Sequence, residues 1–367
     1  MKVKITLPGT VRIKAVGLKV YERSRKGWKR SSRTFPEALL VIKLFKAHKR
    51  FSALIDKKNP EFLKGQLSPD GQPQGARINV LPNGKKLDKA FSLFSPELTI
   101  HNENSNYHWN VLYKNPGGTY SYVYTLEKKK ELVKRKYQVV KDFERYFRKL
   151  RKNLRRALHD PEDAMAVPMY TLLKTYMRIG NEIYYKTSGH KGLTTLKKKD
   201  ITIRKNQVTF NYIGKDGVPI EIKRRFPDIY IERLRKILKS KKRNEYVFIN
   251  GHTRRPLQDI HFREAFKRYC GKEFFPHIVR SYFATARVKY FLKTRKEATK
   301  EDIRELYLEI AERLGHKRFD KKNQVWKENS TVTISHYIKP KLLAEVEKIV
   351  MDNSKLKIND NGNGNKK

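Results

Sequence analysis

In MRIGNEIYY, residues 177–185, an arginine, an asparagine and a glutamate fall within five positions of one another. An arginine carries a planar fork of donors that fits a phosphate and stays charged at any ordinary pH. The same residues also make a plain solvated helix face, with Arg178 and Glu182 as an i,i+4 pair worth at most roughly a few tenths of a kcal/mol. The stretch alone leaves both readings open. What the chain lacks narrows the chemistry. It has no cluster of paired carboxylates of the kind that holds two Mg²⁺ ions, and its one cysteine, Cys270, excludes an internal disulfide or a cysteine-built metal site.

Arg178 falls in a segment whose apolar spacing predicts one continuous helix over about 165–186. Leu172, Leu173, Tyr176, Ile179 and Ile183 share one face of it, and Lys174, Arg178, Asn181, Glu182 and Tyr185 the other. Before it, residues 127–158 place Leu132, Val140, Phe143, Phe147, Leu150 and Leu154 at helical spacing among fourteen Lys/Arg and four acids. That basic face is either simply solvated or borders DNA phosphates. After it, DITIRKNQVTFNYIGKDGVPIEIKRRF alternates apolar and polar residues around two turns, KN and GKDG, which predicts a small three-stranded antiparallel sheet. From 228 to about 352 the pattern is mainly helical.

Residues 1–125 read differently. KVKITL and VRIKAV have strand character, GQLSPDGQPQGARINVLPNGKK reads as turns and loops, and two strands flank the NPGG turn in HWNVLYKNPGGTYSYVYTL. FPEALLVIKLFKAHKRF predicts a helix. The expected fold is α+β: a β-rich domain over 1–125, a mainly helical domain with a small three-stranded sheet over 126–352, and a disordered low-complexity tail over 353–367.

The charge points to the partner. The 367 residues carry 84 Lys+Arg against 37 Asp+Glu, a formal net charge of +47. Such a surplus favours a polyanion, because each neutralised phosphate releases counterions. Membrane-surface binding would also need an apolar anchor. No run is apolar for long enough to span a bilayer, and the first residues lack a signal-peptide core, so a soluble, intracellular, DNA-associated protein is expected.

RIGNEIYYKTSGHKGLTTLKKKDI resembles the signature block of the type IB DNA topoisomerases, and further segments of that family's pattern follow in order. FNYIGKDGVPIEI matches the hairpin with a lysine at its tip, Lys215; PHIVRSYFATARV matches the second arginine segment, with Arg280; RLGHKRF matches the Gly-His segment, with His316; SHYIKP supplies Tyr337. The resemblance covers about residues 105–340, and the ordered set is far more specific than any one motif.

The resemblance implies catalysis by Tyr337, Arg178, Lys215, Arg280 and His316, with DNA contacts from Asn181, Thr194 and Thr195. Tyr122 and Tyr124 are either DNA-backbone contacts near the domain junction or core residues. The partner implied is double-stranded DNA, gripped by a monomer acting as a clamp, with no metal and no cofactor. Each residue type suits its role. Arginines and a histidine place fixed donors on the non-bridging oxygens of a pentacoordinate phosphate. A phenol, acidified by nearby cations, attacks and holds the strand covalently. Lysine protonates the leaving 5′-hydroxyl if neighbours lower its pKa.

Two features depart from the pattern. His316 and Tyr337 lie 21 residues apart, and DKKNQVWKENSTVT between them reads as an extended loop or short linker. His277-x-x-Arg280 is the form typical of tyrosine recombinases, the sister family, so His277 is a secondary candidate, either for phosphate contact or as a helix cap. A tyrosine recombinase or integrase is therefore the rival enzyme. A basic DNA-packaging protein on a degenerate fold is the rival without catalysis.

Overall fold

The computed structural model describes residues 6–101 and 109–350. The chain divides into two compact units, residues 1–135 and 136–367. Among the described residues no helix is long and apolar enough to cross a membrane.

The first unit is β-rich. Strands β1 (Val11–Ile13), β2 (Val20–Ser24) and β3 (Gly27–Arg30) are followed by helix α1 (Pro36–Ala47), then β4 (Gln66–Leu67) and β5 (Pro73–Gln74), and the five strands form an antiparallel sheet in the order β3-β2-β1-β4-β5. Pro36 opens α1 where a missing N–H does no harm. Its Ala38, Val41, Ile42 and Phe45, three and four apart, are buried against Val11, Ile13 and Leu54. Strands β6 (Ile78–Val80) and β7 (Lys86–Phe91) pair, and β8 (Thr99–Ile100), β9 (Val111–Lys114) and β10 (Tyr120–Val123) make a further sheet in the order β10-β9-β8. The NPGG turn closes β9 onto β10, with Asn115 N–H donating to the Thr119 carbonyl at 2.7 Å and Gly118 at φ +77°.

One expectation for this unit changes. GQLSPDGQPQGARINVLPNGKK is not all loop, because Leu67 and Ile78 reach the core and draw β4, β5 and β6 out of the turns around them. KVKITL, residues 2–7, lies largely outside the described residues, and the first strand among the described residues is β1 at Val11.

The second unit is mainly helical. Helix α2 (Leu126–Ala157), which begins within the first unit's residues, buries Tyr137, Val140, Phe143, Leu150 and Leu154 at the expected spacing in the second. Phe143 sits 5.1 Å from Phe274 and 5.8 Å from Phe266, edge to face. Helices α3 (Ala166–Thr175) and α4 (Glu182–Ser188) follow. Then come strands β11 (Ile201–Arg204), β12 (Gln207–Ile213) and β13 (Pro219–Arg225), the predicted three-stranded antiparallel sheet, turning at Lys205 (φ +51°) and at Asp216–Gly217 (φ +63° and +76°). Helices α5 (Asp228–Lys239), α6 (Asp259–Cys270), α7 (Ile278–Thr294) and α8 (Lys300–Leu314) lead to strands β14 (Lys317–Asp320) and β15 (Val325–Glu328), and then to α9 (Thr331–Tyr337) and α10 (Pro340–Lys348).

The single helix expected over 165–186 is instead two. Tyr176 ends α3 in the left-handed region at φ +57°, a conformation uncommon for a bulky side chain. Two contacts offset that strain: its ring stacks on Phe283 at 4.1 Å, and its carbonyl accepts from the Arg280 guanidinium. Arg178 therefore lies on a connecting segment and not on a helix face, Ile183 is exposed, and Glu182 pairs with Lys186 at 2.9 Å.

The segment between His316 and Tyr337 is likewise no linker. It forms the β14–β15 hairpin, in which Phe319 faces Trp326 at 5.3 Å and Asp320 accepts from Asn323, Lys322 and Lys327 at the turn. The tail expected to be disordered over 353–367 lies outside the described residues.

Candidate active site

Arg178 is held by a crossing of two backbone segments. The Leu193 N–H donates to the Arg178 carbonyl at 2.8 Å, and Thr194 Oγ1 donates to the Gly180 carbonyl at 2.9 Å. The segments approach so closely that a Cβ on Gly192 would lie 2.6 Å from the Arg178 carbonyl, and one on Gly180 would lie 2.3 Å from Thr195 Oγ1. Asn181 starts α4 by accepting from the N–H groups of Ile183 and Tyr184. The RIGNE…GLTTL block is thus a brace that aims one guanidinium. This corrects the reading of Thr194 and Thr195 as DNA contacts: both are fully buried, and both hydroxyls are bonded to backbone. Asn181 is exposed, with its carbonyl oxygen used by the cap.

Arg280 leaves the first turn of α7 and is almost wholly buried. Its guanidinium donates to the Tyr176 carbonyl, to the Leu314 carbonyl at 2.8 Å and to His316 Nε2 at 3.0 Å. His316 follows Gly315, which ends α8 at φ +65°, a conformation that favours glycine. Lys215 sits exposed on the β12–β13 tip.

Tyr337 ends α9 at 3% exposed. Its ring centre lies 4.9 Å from that of His316, 5.3 Å from that of His277 and 5.3 Å from the Arg280 Cζ. The positive charges of Arg178 and Arg280 both bear on its phenol. Helix α2 fixes the backbone on either side, with Lys136 donating to the His336 carbonyl and Tyr137 to the Ile338 carbonyl at 2.6 Å.

These groups open onto a cleft of about 770 Å³, lined by Lys136, Arg178, Lys215, His277, His316 and Tyr337 among others. The electrostatics follow from its cations. Burial acts to raise the Tyr337 pKa, but the charges and hydrogen bonds of Arg280 and Arg178 outweigh it and hold the phenol below its usual 10.0. His316 is pushed down to about 3, first by burial and then by Arg280 and Arg178, so it is neutral near pH 7. His277 is displaced in the same direction, first by desolvation and then by the charges of Arg280 and Arg178. Burial lowers the Lys136 pKa, against the pull of Tyr337.

All five residues singled out by resemblance, and His277, meet within this second unit: Arg280 plugs the floor beside His316, and the others line the cleft. Tyr122 and Tyr124 belong to the first unit, the former exposed on β10 and the latter half-buried with its N–H on Asp88. Sequence reasoning missed two residues here. Lys136, whose ammonium lies 5.5 Å from the Tyr337 ring, looked like one cation among many on α2. Thr333, fully buried with its hydroxyl 2.7 Å from His316 Nδ1, had a signal in its place one helical turn before Tyr337.

Comparison with known proteins adds a family. The model for the catalytic core of eukaryotic DNA topoisomerase I matches residues 126–348, more than half of the chain. No curated protein matches the sequence. Among solved structures, the XerH site-specific recombinase bound to palindromic difH substrate, a post-cleavage complex, is 18% identical with a TM-score of 0.33, over 55% of this chain and 51% of that one. The XerH pre-cleavage complex with difH is 16% identical with a TM-score of 0.33, over 59% of this chain and 52% of that one. The matched part is thus about half the length of these recombinase chains. With its α2-to-α10 segment matched throughout by the family's catalytic core, the chain belongs to the DNA topoisomerase I family, type IB.

Proposed function

We propose that the cleft cleaves and rejoins one strand of duplex DNA. The observation that carries this reading is the Tyr337 ring 5.3 Å from the Arg280 guanidinium, on an open cleft that Arg178, Lys215 and His316 also line. A scissile phosphate entering the cleft takes over the guanidinium donors of Arg178 and Arg280, which stabilise the charge of the pentacoordinate transition state. The Tyr337 phenol, acidified by the arginines, loses its proton to water, its oxygen bonds to phosphorus, and the bond from phosphorus to the 5′-oxygen breaks as Lys215 gives that oxygen a proton. The product is a 3′-phosphotyrosyl link and a free 5′-hydroxyl. The freed end rotates about the intact strand, supercoils of either sign relax, and the reverse attack reseals the strand without ATP, metal or cofactor. The β-rich domain over 1–125 closes on the duplex, which a monomer holds mainly by phosphate contacts.

The test is relaxation of a supercoiled plasmid with EDTA present, together with mass mapping of the trapped adduct. Wild-type protein should relax the plasmid and carry the DNA on Tyr337. Tyr337→Phe should lose relaxation and keep its DNA affinity. Adduct on another residue, or no relaxation by wild type, sinks the reading. The recombinase reading has one observation in its favour, His277 three residues before Arg280 and 5.3 Å from the Tyr337 ring. Recombinant products from paired sites would establish it.

A further inference from the structure

A guanidinium has N–H groups to give and no lone pair to accept with. The 3.0 Å contact between Arg280 and His316 Nε2 therefore makes Nε2 the acceptor. The neutral ring then carries its proton on Nδ1 and donates it to Thr333 Oγ1 at 2.7 Å. In that state His316 offers the cleft no donor. Helping a phosphate requires the other tautomer, with the proton on Nε2 and a bare Nδ1.

What faces Nδ1 decides whether the ring can change. A carboxylate or a backbone carbonyl there would accept only and lock the proton on Nδ1. A backbone N–H would lock it on Nε2. A hydroxyl does either: it accepts in one orientation and donates in the other. Thr333 is fully buried, and the His316 backbone is fixed by its own N–H to the Ala311 carbonyl and by the Asn329 N–H to its carbonyl, both at 2.9 Å. The ring is therefore held in place while the hydroxyl turns. The same side chain docks α9 on His316 one turn before Tyr337, within which span the two rings come to 4.9 Å.

We propose that Thr333 is a positioning residue that lets His316 exchange tautomers: its hydroxyl accepts from Nδ1 while Arg280 occupies Nε2, and donates to Nδ1 once a phosphate has drawn Arg280 away, so that Nε2–H turns to the phosphate. In the exchange, water entering the cleft gives Nε2 a proton and solvent takes the one released from Nδ1, so the ring stays neutral and no net charge changes. The proposal rests on the reading of the cleft as a phosphodiester site, and its test separates the two.

Nitrogen-15 spectra of the His316 ring, assigned by loss of its signals in His316→Gln, read the tautomer directly. Free wild-type protein should carry the proton on Nδ1. The uncleavable complex of Tyr337→Phe with duplex DNA should carry it on Nε2, and adding Thr333→Val to that complex should prevent the change. Single-turnover adduct formation gives the second readout. Thr333→Val should slow it about a hundredfold to a thousandfold, on the scale of one lost transition-state donor. Thr333→Ser, which keeps the hydroxyl, should run near the wild-type rate. In a His316→Ala background Thr333→Val should add nothing, because the hydroxyl acts only through the ring. An equal slowing in that background would reduce Thr333 to packing and overturn the proposal. So would a proton on Nε2 in the free protein, or one that stays on Nδ1 with DNA bound. Absence of any adduct from wild type would refute the cleavage reading alone, and the ring spectra would still decide the role of Thr333.

Discussion

A neutral histidine beside two arginines and a phenol sets the behaviour of the site at the scale of single residues. His316 has its pKa displaced from 6.5 to about 3 by burial and by Arg280 and Arg178. A base depressed in this way binds fewer protons folded than unfolded across that interval. Its contribution to stability is present above 6.5 and is lost as pH falls toward 3, by on the order of a few kcal/mol. Urea unfolding of the DNA-free protein should show a midpoint that falls on acidification from pH 7 to about 5. His316→Asn should reduce that dependence, leaving the share that His277 contributes in the same direction, and an unchanged slope would mean the His316 ring is charged in the folded protein. Lys215 makes a separate prediction. It is the exposed cation at the hairpin tip, so Lys215→Ala should slow cleavage more than DNA binding. The defect should shrink on a 5′-bridging phosphorothiolate, whose leaving group needs no proton. A defect of equal size on both substrates would take the acid role away from Lys215.

At the scale of elements, what positions these side chains is mostly backbone. The Gly180–Gly192 crossing leaves no room for one methyl group. Gly192→Ala should push Arg178 off its line while leaving helix content intact. Single-turnover cleavage should fall about a hundredfold, the typical consequence of misplacing a catalytic group by an ångström. A near-normal rate would mean that the crossing adapts and does not aim the arginine. This scale also separates what the sequence discloses from what it hides. The α2 spacing and the β11–β13 alternation are local patterns, and they read correctly. The break at Tyr176 does not show in the sequence, since the residue has no turn preference; the left-handed bend is held by Phe283 and Arg280, over a hundred positions away. The β14–β15 hairpin is hidden for another reason: its turn, DKKNQ, is as polar as any linker, and just one aromatic pair, Phe319 with Trp326, marks it as folded. Thr194 and Thr195 stood in the right motif and received the wrong role, because a motif names positions and cannot tell a contact with a ligand from a contact that supports one.

Across the whole molecule the dominant quantity is the net charge of +47, legible from composition before any element is assigned. Duplex affinity should therefore fall by orders of magnitude between about 50 and 200 mM salt, with little dependence on base sequence. Filter binding on unrelated duplexes measures both. A flat salt response would remove phosphate contact as the source of affinity. Tyr337→Phe should show the same salt slope as wild type, since one phenol adds nothing to the counterion balance.

The grip of α2 on the residues flanking Tyr337 reaches furthest. Lys136 holds the carbonyl before it and Tyr137 the carbonyl after it. On the mechanism proposed above, a strand joined to that tyrosine would be moored to a rigid post instead of a swinging tether. Torque stored in the DNA would then turn the free end around a fixed spindle, and loosening either mooring, as in Tyr137→Phe, should change how many turns escape per nicking event in a single-molecule rotation assay more than it changes how often nicking begins.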